Sequence, residues 1–173
     1  IEDPAKQIQV SIVKFAGNKT DKVGNATYRG EYGYTYNYSQ IMRNLTLCNN
    51  AYLSTLQDVV DSISPAGATR SDYGMKMAQK VLGSARSNAK KVVIFFTDGK
   101  PTSLSKYDPE VAGSAINTAN AIKGSGATIY TVGIFSGADS SNPPANPGQD
   151  EEKLANRFMH AVSSNYPDAA YGW

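Results

Sequence analysis

The stretch that most constrains this chain is Lys90–Thr102, KKVVIFFTDGKPT. Five consecutive apolar residues, Val92–Phe96, follow a basic pair and stop at Thr97-Asp98-Gly99. A run this short, without polar alternation, fits a strand buried on both faces of a parallel sheet. The polar turn then falls at the carboxyl end of that strand, outside which open α/β sheets bind their ligands. Asp98 is therefore a candidate functional residue, and the competing reading makes it only a cap for the following turn.

A chain of 173 residues, 40% hydrophobic and 18% charged, predicts one domain with a real core. The 17 Lys and Arg are scattered, Lys90-Lys91 is the only adjacent pair, and the net charge is +2, which argues against nucleic acid as a partner. No apolar run approaches the roughly 20 residues that cross a bilayer, so membrane insertion is not expected. Cys48 is alone, which rules out a disulfide within the chain and a thiolate metal cluster, and it is expected to pack as a small apolar group. His160, also alone, falls on a predicted helix with a packing or surface role. One His and one Cys leave little material for a nucleophile–base pair, so the chain is not expected to be an enzyme. It opens on Ile-Glu-Asp-Pro with neither Met nor a signal peptide, as if cut from something longer.

Ile8–Phe15 reads as a strand ending at Ala16-Gly17. Lys14 inside it is expected to face solvent at the strand end, the alternative being a Lys–Asn isopeptide bond of the kind some bacterial surface proteins carry. Residues 18–44 are rich in Tyr, Asn, Gly and Thr and read as an insertion standing off the body. Within it Tyr32, Tyr34, Tyr36 and Tyr38 alternate with other residues, which puts four rings on one face of an extended segment. That face either packs on the body or forms a ligand contact surface. N-x-S/T sequons begin at Asn18, Asn25, Asn37 and Asn44. Amphipathic helices are predicted over Ala51–Ile63 and Ser71–Leu82, the first with a Tyr52, Leu56, Val59, Val60, Ile63 stripe. Asp108-Pro109-Glu110 reads as a helix start with a capping Asp and Pro in the first turn, and Gly124 ends that helix. Thr128–Phe135 is a further strand, Ser136–Gln149 a loop, and Asp150–Val162 a last helix. Strands alternating with helices predict an α/β fold, a doubly wound, mostly parallel sheet with helices on both faces.

The order of these pieces resembles the von Willebrand factor type A domain: IQVSIVKFAG, a helix, Gly67-Ala68-Thr69, a helix, VVIFFTDG, a helix, TIYTVGIF and a helix. The resemblance covers roughly residues 6 to 165 and makes residues 1–173 a single, partial domain, incomplete at both ends. It implies a metal-ion-dependent adhesion site holding Mg²⁺ (or Mn²⁺ or Ca²⁺), to which Thr69 and Asp98 are the matching ligands. Arg70, Ser71 and Lys100 would flank it and assist an acidic partner, and Tyr32, Tyr34, Tyr36 and Tyr38 would extend the surface. The family's D-x-S-x-S motif is absent, so the cation is conditional on a segment not in this sequence. The Tyr/Asn-rich stretch and the tail Phe158–Ala169 are similar to sortase-anchored surface proteins and pilus-tip adhesins of Gram-positive bacteria. That implies an extracellular module on the cell surface, cell wall or pilus. Its partners would be a host matrix or cell-surface protein, or other pilus and surface-protein domains.

Two other classes compete with adhesion. A stalk domain with a non-functional metal site is one. The other is a phosphatase-like hydrolase, since a strand ending in Asp-Gly resembles the haloacid-dehalogenase type, but that chemistry needs a second Asp where Lys100 stands. The resemblance also places a strand between Ile8–Phe15 and Val92–Phe96 whose sequence is missing. Either another segment fills that slot or the two strands close up and pair directly.

Overall fold

A computed structural model describes residues 7–17, 27–30, 33–141 and 146–165. The chain runs β1 (Gln9–Lys14), β2 (Thr27–Arg29), β3 (Thr35–Asn37), β4 (Gln40–Leu47), α1 (Leu53–Asp61) and α2 (Ser71–Gly83). It continues with β5 (Val92–Thr97), α3 (Pro109–Gly124), β6 (Thr128–Gly133) and α4 (Glu151–Val162). The class is α/β, as the alternation of elements predicts. β5 and β6 pair in parallel with Val92 opposite Thr128 and Thr97 opposite Gly133. β1 and β4 pair antiparallel, with irregular register around Ile12, and β2 pairs with β3. These are three separate two-stranded units, and β1 makes no ladder with β5. The direct pairing of those two strands is thus not what the chain does.

Helix ends follow the local chemistry. The Asp108 carboxylate accepts the Glu110 and Val111 N–H groups at 2.9 and 3.2 Å, with Pro109 in the first turn. Asp150 accepts from Glu152 and Lys153, both at 3.1 Å. α3 presents Ala112, Ala115 and Ala119, all fully buried, and these small side chains let α2 and α4 approach closely. Phe95 and Ile129 enter this core from the two parallel strands and meet Met75, Ile116 and Phe158. The Phe95 ring stacks on Phe15 at 5.2 Å and meets the edge of Phe158 at 6.0 Å.

Only one face of the β5–β6 pair is covered. The alternate residues Val92, Ile94, Phe96, Tyr130 and Val132 are exposed, Ile94 at 68% and Phe96 at 56%. The Val92–Phe96 run was expected to be buried on both sides. The helices α2, α3 and α4 share a single core on one side, and no described element lies over the other.

Four further expectations need correction. Lys14 is buried, at 6% exposure, instead of facing solvent, and desolvation there lowers its pKa. Cys48 is exposed, just beyond the end of β4. The stripe of the first helix is mostly unburied: only Leu56 is covered, while Tyr52, Val60 and Ile63 face outward. The stretch 18–44 does not stand off the body throughout, because Tyr36, Asn37, Ser39 and Gln40 are buried and Gln40 opens the strand paired with β1. Its lack of a helical stripe reflects a strand, where the period is two.

Candidate functional site

Two turns meet at the carboxyl end of β5. In the first, Gly67 has φ +94°, a left-handed conformation suited to glycine. A Cβ there would also lie 2.5 Å from the Tyr36 ring. The turn is held from three sides. The Gly17 N–H donates to the Ala68 carbonyl at 3.1 Å, the Asn37 N–H to the Ala66 carbonyl at 3.0 Å, and the Asn37 side-chain amide to the Ser64 carbonyl. In the second, the Thr97 hydroxyl folds over its own turn, donating to the Gly99 carbonyl at 3.1 Å and accepting the Gly99 N–H at 3.2 Å.

Thr102 clamps the two together. Its hydroxyl accepts the Thr69 N–H at 2.9 Å, and its own N–H donates to the Thr69 carbonyl at 3.1 Å. The Thr69 hydroxyl consequently faces the second turn, where a Cβ on Gly99 would lie 3.7 Å from Oγ1. Asp98 is exposed beside it, with no hydrogen bond or ion pair among the described residues. Thr69 and Asp98 are thus brought to one rim, although 29 positions separate them in sequence.

The flanking residues are differently placed. Arg70 is largely buried, forks onto both Asp72 carboxylate oxygens at 2.9 and 2.8 Å, and lies 3.7 Å over the Tyr73 ring. Burial works against its charge, but the hydrogen bonds and charge of Asp72 outweigh it and raise its pKa. Lys100 is paired with Glu151, whose other oxygen accepts the Tyr107 N–H at 3.1 Å. The Lys100 hydrogen bond, with the Tyr107 N–H, holds the Glu151 carboxyl below its usual pKa. Ser71 is fully buried, and its hydroxyl has no hydrogen-bond partner among the described residues.

The tyrosines do not share one exposed face. Tyr34 is 64% exposed, Tyr36 is 5% exposed in contact with Tyr28, Tyr38 is half-buried against Tyr28, and Tyr32 lies outside the described residues. The strand breaks on either side of Thr35–Asn37, so the period of two does not persist across the four rings. Of the sequons, Asn44 is exposed, Asn37 is fully buried with its amide engaged, and Asn18 and Asn25 fall outside the described residues.

Sequence reasoning missed Thr102, Asp72 and Glu151. The Arg70-x-Asp72 spacing was a local signal for the ion pair; nothing local announces Thr102, whose partner is 33 residues away. Thr69 and Asp98 offer three side-chain oxygens from two residues, whereas Mg²⁺ takes six oxygen ligands in near-octahedral geometry. No group of three or more His, Cys, Asp or Glu able to hold a metal occurs among the described residues. The donor set among the described residues does not by itself fit Mg²⁺, Mn²⁺ or Ca²⁺.

Comparison with known proteins adds a family and a fold. The family model of the von Willebrand factor type A domain matches residues 4–164. No curated protein matches. Among solved structures, the pilus adhesin SpaC from Lactobacillus rhamnosus GG, in an open conformation, superposes with a TM-score of 0.60 at 16% identity. The match covers 90% of this chain and 22% of that one, so the chain spans about a fifth of the adhesin's length.

Proposed function

Because the chain belongs to the von Willebrand factor type A family, we propose that it is a non-enzymatic adhesion module of a bacterial surface protein or pilus. It docks a host matrix or cell-surface protein at the rim formed by Thr69 and Asp98. The observation that carries this reading is the meeting of the two turns: an exposed carboxylate and a threonine hydroxyl sit together on a rigid sheet edge. The SpaC structure, described as a pilus adhesin, supports the surface location by its shared fold. Asp98 is the free acceptor at the rim, and it favours N–H donors and basic groups on a partner. Arg70 and Lys100 are committed to Asp72 and Glu151 and position the loops. A stalk role is the second reading, favoured by that internal neutralisation.

Surface plasmon resonance with collagen, fibronectin and fibrinogen as probes separates the two. Saturable binding to at least one is expected, and Asp98→Ala should weaken it about tenfold, roughly 1.4 kcal/mol, with unchanged thermal unfolding. Equal affinity in the variant would remove Asp98 from the interface. Absence of binding to all three would favour the stalk.

A further inference from the structure

The chain contains a single Asp-Gly pair, Asp98-Gly99. Among the described aspartates it is the one most open to attack by its own backbone. Asp72 is engaged by Arg70, and Asp108 by the Glu110 and Val111 N–H groups. Asp139 accepts the Ser141 N–H at 2.7 Å, and Asp150 accepts those of Glu152 and Lys153. Asp58 and Asp61 lie within α1, where regular helical backbone holds their peptide groups in place. Asp98 is exposed, lies outside helix and strand, and has no hydrogen bond or ion pair among the described residues. The residue after it is uncrowded. Gly99 does not adopt a positive φ, and a Cβ added there would meet only the Thr69 hydroxyl oxygen, at 3.7 Å. The Gly99 N–H donates to the Thr97 hydroxyl at 3.2 Å, so the Asp98 carboxyl sits beside this amide without being tied to it.

We propose that Asp98-Gly99 is a self-modification site, at which the aspartate converts to isoaspartate through a cyclic imide. The Gly99 amide nitrogen attacks the Asp98 Cγ and forms the N–Cγ bond. One carboxyl oxygen leaves as water, taking the amide hydrogen and the carboxyl proton. A second water then reopens the ring. Attack at Cγ restores aspartate. Attack at the former main-chain carbonyl breaks its bond to the Gly99 nitrogen and turns that carbonyl into the free carboxylate. The main chain then runs through Cβ and Cγ. One water leaves and one returns, so no atom or charge is gained or lost, and no oxidant or cofactor is consumed. Glycine favours the closure because it brings no side chain against the forming ring. The product alters both candidate residues of the rim. The carboxylate moves onto Cα, and the link from β5 to Thr102 gains a methylene. Thr102 holds Thr69 through its hydroxyl and its N–H, so a shift of Thr102 reaches Thr69 as well. The inference does not depend on what the rim binds.

The test holds the full chain at neutral pH and physiological temperature in heavy-oxygen water and follows each aspartate by peptide mapping. An isoaspartyl peptide separates from its aspartyl twin, and every ring opening brings in one heavy oxygen. Asp98 should convert at least about tenfold faster than Asp61 and Asp139, the described aspartates followed by serine. Its rate in the folded chain should be at least about a tenth of that in a free peptide spanning residues 95–102. Gly99→Ala, whose Cβ fits the open space, should leave thermal unfolding unchanged and slow the conversion about tenfold or more. Asp98→Asn should form the same imide faster, with release of ammonia, and give both aspartate and isoaspartate at this position. The proposal would be overturned by a lack of heavy oxygen at Asp98, by conversion no faster than at Asp139, or by an undiminished rate in the Gly99→Ala chain. A folded-chain rate below about a tenth of the peptide's would also overturn it, since the turn would then be protecting the bond.

Discussion

Thr69 owes its position to Thr102, and Asp98 owes its exposure to the Thr97 hydroxyl, which satisfies the Gly99 N–H in its place. Single hydroxyls thus decide which side chain is free at the rim. Asp108 acts in the same way one loop further on. Partial burial opposes its charge, but the Ser103 hydroxyl and the Val111 and Glu110 N–H groups outweigh that and lower its pKa. A carboxyl with a depressed folded-state pKa contributes stability that is present above the unfolded value, about 3.9, and is lost as pH falls through the folded value. Asp108→Ala should cost about 1 kcal/mol at pH 7, and the difference from the parent should shrink below about pH 3. Urea midpoints at the two pH values measure it; a difference independent of pH would show that the carboxylate's charge plays no part in the cap.

At the scale of elements, the segment from Tyr36 to Leu47 ties the Tyr-rich region into the body. Tyr36 fills the space above Gly67, and glycine at Gly30 and Gly67 is what admits it: a Cβ at either would fall 2.4–2.5 Å from the ring. The ring therefore supports the turn that carries Thr69. Tyr36→Ala should destabilise the protein by about 3–5 kcal/mol, as for other large buried aromatics. Tyr36→Phe should be nearly neutral, since it keeps the ring that packs against Gly30 and Gly67. Chemical denaturation of both variants distinguishes a packing role from a surface one. A loss below about 1 kcal/mol for the alanine variant would show that the ring is dispensable to the fold.

For the molecule as a whole, the uncovered sheet face is the dominant surface feature. Val92, Ile94, Phe96, Tyr130, Val132 and Ile134 form an apolar row on the side away from the helices. Monomeric proteins seldom leave such a patch open, and it predicts self-association of this chain in isolation. Val132→Lys with Ile134→Lys should reduce that association while changing unfolding free energy by no more than about 0.5 kcal/mol per site. Light scattering against concentration tests this. Unchanged association would place the contact elsewhere.

Local chemistry was enough to place several features from sequence alone. The apolar runs gave β5 and β6, the Asp-Pro-Glu start gave α3, and the turn after β5 gave Asp98, because these depend on neighbours in the chain. The resemblance carried by Gly67-Ala68-Thr69 and VVIFFTDG added Thr69. What depends on contacts across the fold was not legible. The burial of Lys14 and Asn37, the pairing of Lys100 with Glu151 instead of a ligand, and the different environments of Tyr34, Tyr36 and Tyr38 are set by elements that meet only after folding. The Val92–Phe96 run shows the limit: hydrophobicity specified a strand that requires burial, but only the tertiary structure determined that one of its faces would stay bare and one of its edges open.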